Sequence, residues 1–198
     1  MDPLAPDQHD TNHDGYVDYE RLDTDGDGRY DTVLVDSDHD HYYDVRATVD
    51  ENGYPTQVET DTNGDHRYDQ KMVDTDHDGR PDQLWTDRNH DGYYDMVQVD
   101  TDHNGLYDHA WVDNNHDHRW DGYAIDRNGD GNYEHAWGDT NRDGRWDLHV
   151  VDRNGDGEYD INYQDTDYDG KFDTVIEDRD YDGDWDGVRA YRPGETND

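Results

Sequence analysis

The sequence predicts an all-β chain: a cation-stabilised β-solenoid of 13-residue repeats, with two repeats in each 26-residue coil. Three observations predict it. The pattern D-x-[DN]-x-[DN]-G-x-[aromatic]-D-x-x-x-[apolar] recurs about fourteen times and takes up forty-five of the fifty-five acidic residues. Each copy ends in a short run of β-forming residues bounded by Gly and Asp. A second period of twenty-six lies over the first. Trp85, Trp111, Trp137 and Tyr163 take slot twelve of alternate repeats, His109-Ala110-Trp111 returns as His135-Ala136-Trp137, and Arg119-Trp120-Asp121 returns as Arg145-Trp146-Asp147. This longer period marks either a two-repeat structural unit or the duplication of a pair.

In chain order, residues 1–9 read as a tail, 10–190 as a repeat domain and 191–198 as a second tail. The repeats open at Asp10, Asp23, Asp36, Asp50, Asp61, Asp74, Asp87, Asp100, Asp113, Asp126, Asp139, Asp152, Asp165 and Asp178. Repeat four, within residues 50–60, lacks slots five and nine. It is expected to keep its place in the stack without holding an ion. In the other repeats a strand is expected over slots eight to thirteen. Slot eight is aromatic at Tyr30, Tyr43, Tyr68, Tyr94, Tyr107, Trp120, Tyr133, Trp146, Tyr159, Phe172 and Trp185, and the run ends in segments such as Val33-Leu34-Val35 and His149-Val150-Val151. A strand of about six residues is not stable alone. Stacked on its equivalents in neighbouring coils it gains backbone hydrogen bonds and buries an aromatic ladder. A β-propeller needs about forty residues and four strands per blade, and a loop after every strand leaves no room for that. A strandless chain of loops is the second architecture compatible with the pattern.

Composition sets a conflict that bound cations would resolve. The 198 residues are 28% hydrophobic and carry a net charge of −39. Charge and hydropathy alone place such a chain among disordered ones, yet seventeen Tyr and six Trp do not suit a solvated tail. Thirteen divalent ions would bring −39 to about −13. The absence of cysteine excludes disulfides and zinc–thiolate sites. No apolar run approaches a membrane span, and the opening MDPLAPDQHD does not read as a signal peptide. The acidity opposes binding to nucleic acid, whose phosphates carry the same sign.

The repeat DRNHDGYYDMVQV, Asp87 to Val99, states the chemistry. Asp87, Asn89 and Asp91 put side-chain oxygens inside a tight loop, Gly92 supplies the turn, the carbonyl of Tyr93 faces inward, and Asp95 closes the site. With one bidentate carboxylate or a water this reaches the six to eight oxygens that calcium prefers. No nitrogen or sulfur ligand of the kind transition metals select stands in a ligand slot. By the same slots the candidate ligands are Asp10, Asn12, Asp14 and Asp18; Asp23, Asp25, Asp27 and Asp31; Asp36, Asp38, Asp40 and Asp44; Asp61, Asn63, Asp65 and Asp69; Asp74, Asp76, Asp78 and Asp82; Asp100, Asp102, Asn104 and Asp108; Asp113, Asn115, Asp117 and Asp121; Asp126, Asn128, Asp130 and Glu134; Asp139, Asn141, Asp143 and Asp147; Asp152, Asn154, Asp156 and Asp160; Asp165, Asp167, Asp169 and Asp173; and Asp178, Asp180, Asp182 and Asp186. Up to about thirteen calcium ions are expected.

The first half of each loop resembles the EF-hand, but no repeat has Glu at slot twelve, and the flanks lack helical periodicity. The D-x-D-x-D-G-x-x-D spacing is similar to the calcium loops of integrin-type FG-GAP modules. The tandem arrangement resembles thrombospondin type 3 repeats and actinobacterial proteins built of tandem DxDxDGxxD units. The resemblance covers residues 10–190; it implies calcium binding and no activity.

Other features carry two readings each. His13, His39, His77, His90, His103 and His116 stand at slot four, and His41, His66 and His118 replace Gly at slot six. They read as solvated loop residues or as a row that senses pH or takes a second metal; at slot six the positive φ costs a non-glycine residue energy. Arg29, Arg67, Arg80, Arg119, Arg145 and Lys171, with Tyr16, Tyr42 and Tyr93, recur at slot seven, as outward residues or as a face for an anionic or sugar partner. No nucleophile–base set stands apart from the repeat, so an enzyme is not expected. Loops of this type lie in the affinity range of extracellular modules, on the order of 10⁻⁴–10⁻³ M, which points to an extracellular or cell-surface location. The function expected is a multivalent calcium-binding structural or adhesive module, with a protein or glycan partner left open. The alternatives are a calcium or lanthanide store or scavenger and a carbohydrate-binding module.

Overall fold

The computed structural model describes residues 4–192. The chain is all-β, with fifteen strands and, among the described residues, no helix: β1 (Asp7–His9), β2 (Tyr19–Leu22), β3 (Thr32–Val35), β4 (Val45–Val49), β5 (Pro55–Thr60), β6 (Gln70–Val73), β7 (Gln83–Thr86), β8 (Met96–Val99), β9 (His109–Val112), β10 (Gly122–Ile125), β11 (His135–Gly138), β12 (Leu148–Val151), β13 (Ile161–Gln164), β14 (Thr174–Glu177) and β15 (Gly187–Ala190). The strands follow one another in sequence order in the sheet, and neighbours pair antiparallel from β1 to β7 and from β9 to β15. Each repeat thus gives one strand and one loop.

This pairing differs from the expected coil, in which each strand would stack on its equivalent two repeats away. The nine-residue loop reverses the chain, and antiparallel pairing needs only such a reversal. The next strand therefore lies beside the last in a meander. The strands are also shorter than expected. They occupy slots ten to thirteen, because slot nine turns its carboxylate back into the loop. Repeat four keeps its place as β5, entered through a turn in which Asp50 N–H donates to the Tyr54 carbonyl at 2.8 Å, with a bulge at Thr48/Val49. Asp7–His9, in the segment read as a tail, fill slots eleven to thirteen of a repeat preceding the first, and so pair with β2. Of the second tail, residues 193–198 lie outside the described residues, as do 1–3. Tyr191 donates its N–H to the Asp173 carbonyl at 2.7 Å and sets its ring edge against Tyr163.

Contacts divide the chain into two compact units, residues 1–97 and 98–198. In the second unit the register pairs slot ten with slot thirteen and slot eleven with slot twelve. One face therefore shows slot twelve of even repeats beside slot eleven of odd ones. That is the physical content of the 26-residue period. Trp111, Tyr123, Trp137, His149, Tyr163 and Val175 form one cross-strand row. Its rings are near-parallel in places, with Tyr123–Trp137 centroids at 5.4 Å and Trp137–His149 at 4.6 Å. The opposite row is small and aliphatic: Ala110, Ala124, Ala136 and Val150. A buried cluster of Val151, Ile161, Tyr163 and Val175 adjoins the ladder, with Phe172 and Tyr191 packed on it.

In the first unit the aliphatic row is Val33, Ala47, Val58, Met72 and Leu84. The other face carries Glu20, Leu34, Arg46, Glu59, Lys71 and Trp85. Its charges alternate in sign across strands: Arg46 reaches Glu59 at 3.6 Å, and the Lys71 ammonium sits 4.5 Å over the Trp85 ring.

His149 is almost fully buried in the ladder, with its Nε2 3.0 Å from Nδ1 of His135. Burial, then His135, pushes its pKa down to about 4. Because the folded value lies below the ordinary one, the unfolded chain takes the proton more readily. The ring's contribution is full above about pH 6.5 and is lost as pH falls toward about 4. Imidazole NMR of the folded protein is expected to show His149 neutral at pH 5.5; a midpoint near 6.5 would contradict this packing.

Candidate metal centres

The loops invert the usual rule of burial. Among the described residues, seventeen aspartates are buried against six apolar side chains. All seventeen stand at slot one or slot nine, among them Asp36, Asp87 and Asp152 at slot one and Asp18, Asp95 and Asp160 at slot nine. A buried carboxylate needs donors or counter-charge, and sixteen Lys and Arg cannot serve fifty-five acids.

Backbone donors supply part of it, and loop eleven shows how. Asp139 Oδ1 accepts the N–H of Arg142 at 2.7 Å, and its Oδ2 accepts that of Gly144 at 2.7 Å. Asn141 Oδ1 accepts the Asp143 N–H at 2.8 Å, and Asp143 Oδ1 accepts the Arg145 N–H at 3.0 Å. Asp147 closes the ring, accepting the Thr140 hydroxyl at 2.7 Å and the amides of Thr140 and Asn141 at 3.0 Å. The same pattern recurs in the first loop through Asp10, Asp14 and Asp18. Slot two is Thr in many repeats because its hydroxyl binds slot nine; at Asp95 the Arg88 guanidinium does this at 2.7 Å.

The wrap requires two left-handed residues, at slots four and six. Slot six was legible from its glycines. Slot four was not: His13, His39, His77, His90, His103, His116, Arg142, Tyr168 and Tyr181 all hold φ between 58° and 67° there. Gly26 and Gly64 at the same slot were the available signal. His41, His66 and His118 at slot six have φ of 79°, 68° and 68°.

The predicted ligand slots converge. Oxygens of Asp10, Asp14 and Asp18 lie within 4.8 Å of one another, as do those of Asp23, Asp25 and Asp27 and of Asp36, Asp38 and Asp40. At slot three, Asn12, Asn89 and Asn154 donate to the slot-five carboxylates of Asp14, Asp91 and Asp156 at 2.9–3.1 Å. Each thereby holds slots three and five together. Like charge raises the Asp180 carboxyl above its ordinary range, first through Asp182 and then Asp186 of the same loop. Burial, with Asp152 and Asp156 adding to it, raises Asp160. Asp18 is held down to about 2, first by the Thr11 hydroxyl and then by the Thr11 and Asn12 amides. Among the described residues, Asn115 Oδ1 and Glu134 Oε1 are buried ligand-slot oxygens with no hydrogen-bond partner, and Asp18 Oδ1 is buried with the His39 ring nitrogen 3.3 Å away. These acceptors fit a cation, since an orphaned buried acceptor otherwise costs about 1–3 kcal/mol.

Loops are tied along each edge of the sheet rather than to their sequence neighbours. The N–H of slot one donates to the slot-nine carbonyl two repeats earlier, at 2.8 Å for Asp36 to Asp18 and 2.9 Å for Asp165 to Asp147. Several slot-seven residues, read from sequence as outward or as a partner face, lie over slot six of the next loop on the same edge, whereas Arg29 reaches Glu51 at 3.1 Å. Tyr16 stacks on His41 at 3.8 Å and Tyr42 on His66 at 3.9 Å, while Arg145 lies over Gly170. The large imidazole at slot six is thus matched by a ring at slot seven. Comparison with protein-family models, with curated proteins and with solved structures found no match to this chain.

Proposed function

We propose that the chain is a multivalent calcium-binding protein, folded by calcium and acting as an extracellular structural or adhesive module. The observation that carries this reading is the buried set of slot-one and slot-nine aspartates, converging with slots three and five on unpartnered oxygens. Residues of each loop, such as Asp10, Asn12, Asp14 and Asp18, would hold one ion through oxygen alone, which suits a hard cation. The ion supplies the charge that the apolar core does not, so binding energy becomes folding energy. The location follows from affinity: sites on the order of 10⁻⁴–10⁻³ M fill outside cells and stay empty in the cytosol. No described helix is long and apolar enough to cross a membrane.

Equilibrium dialysis against calcium, magnesium and terbium tests the reading. About thirteen calcium ions per chain are expected at millimolar concentration, with repeat four empty and magnesium a poor competitor. Fewer than three bound ions would overturn it. Tight terbium uptake without any gain of structure would favour a lanthanide store instead.

A further inference from the structure

The histidines of the first unit do more than fill left-handed positions. His39, at slot four of loop three, sets its Nδ1 3.3 Å from Asp18 Oδ1 of loop one. The Asp18 side chain is 3% exposed. Its Oδ2 is spent on the Thr11 hydroxyl and the amides of Thr11 and Asn12, whereas Oδ1 is buried and faces the His39 ring. Asp36, 2% exposed, completes the group: ligand atoms of Asp18, Asp36 and His39 lie within 4.8 Å of one another. The two acids are fixed by the loop-to-loop bond from Asp36 N–H to the Asp18 carbonyl.

We infer that Asp18, Asp36 and His39 form a second class of cation site, set between loops one and three, for a divalent metal of borderline softness such as zinc or cobalt(II). An imidazole nitrogen is a donor that such ions select and calcium does not. Two ligands ~2.0 Å from a tetrahedral ion stand about 3.3 Å apart, which is the His39–Asp18 separation. Three protein ligands leave the fourth position to water. Asp18 also belongs to the loop-one group with Asp10 and Asp14, so its carboxylate bridges the two kinds of site. The site goes beyond the calcium reading, and it shares Asp18 with loop one and Asp36 with loop three.

Cobalt(II) is the probe, titrated into the protein in millimolar calcium and read by visible absorption and by bound equivalents. His39→Gly removes the imidazole while suiting the left-handed backbone, as Gly26 and Gly64 do at the same slot. His77→Gly is the control, because repeat four, two repeats before it, has no slot-nine acid. Wild type and His77→Gly are expected to bind equal cobalt, with an intense tetrahedral band, and His39→Gly one equivalent less. Equal binding by all three, equal loss in both variants, or complete displacement by calcium would overturn the site. Calcium dialysis of the same samples reads the loops separately, so a failure of one reading is not mistaken for a failure of the other.

Discussion

Replacing Asp143 and Asp147 together with Ala is expected to empty loop eleven and to weaken loops nine and thirteen, leaving ten and twelve nearly intact. Asp147 accepts three donors from Thr140 and Asn141, each bond contributing about 0.5–1.5 kcal/mol net. The loss spreads along the edge because Asp139 N–H donates to the Asp121 carbonyl and Asp165 N–H to that of Asp147. Loops ten and twelve are joined separately, by Asp152 N–H to the Glu134 carbonyl at 2.8 Å. In hydrogen exchange at saturating calcium, the amides of Asp139 and Asp165 should speed up while that of Asp152 stays protected. Equal opening at Asp152 would show that coupling follows the sequence rather than the edge.

Trp137→Ala carries the second large effect. Trp137 stands mid-ladder between Tyr123 and His149, with its ring within 2° of parallel to the imidazole. Truncation removes contacts on both sides and leaves His135 and His149 beside a void. For a half-buried ring the cost is about 2–3 kcal/mol, at or below the range for core Trp→Ala changes. Trp146, 41% exposed, gives the comparison: Trp146→Ala should cost under about 1 kcal/mol. Urea unfolding in calcium separates the two. Equal midpoints would mean that the ladder is ornamental and the loops alone hold the sheet.

Much of this architecture was legible in the chain, and the misses share a cause. The spacing of Asp, Asn and Gly located each loop because the ligand slots and the turn are local. Strand positions followed from runs such as Val33-Leu34-Val35. The sense of pairing did not, since a repeat read alone does not say whether its loop returns the chain beside the last strand or onto an earlier one. Tyr123 and His149 at slot eleven, alternating with Trp111, Trp137 and Tyr163 at slot twelve, held that information: only an antiparallel register puts them in one row. The partnership of Tyr16 with His41 was hidden because the two lie two repeats apart. The left-handed slot four was obscured by the nine non-glycine residues that bear it.

The account stands on cations taking the part of an apolar interior, and far-ultraviolet circular dichroism with small-angle scattering tests that most directly. In chelator the chain should be expanded and lack β signal. Rising calcium should restore the sheet in one cooperative step at millimolar concentration, with compaction tracking the β signal. A stripped chain with the same scattering profile and melting temperature as the calcium-loaded one would contradict the account.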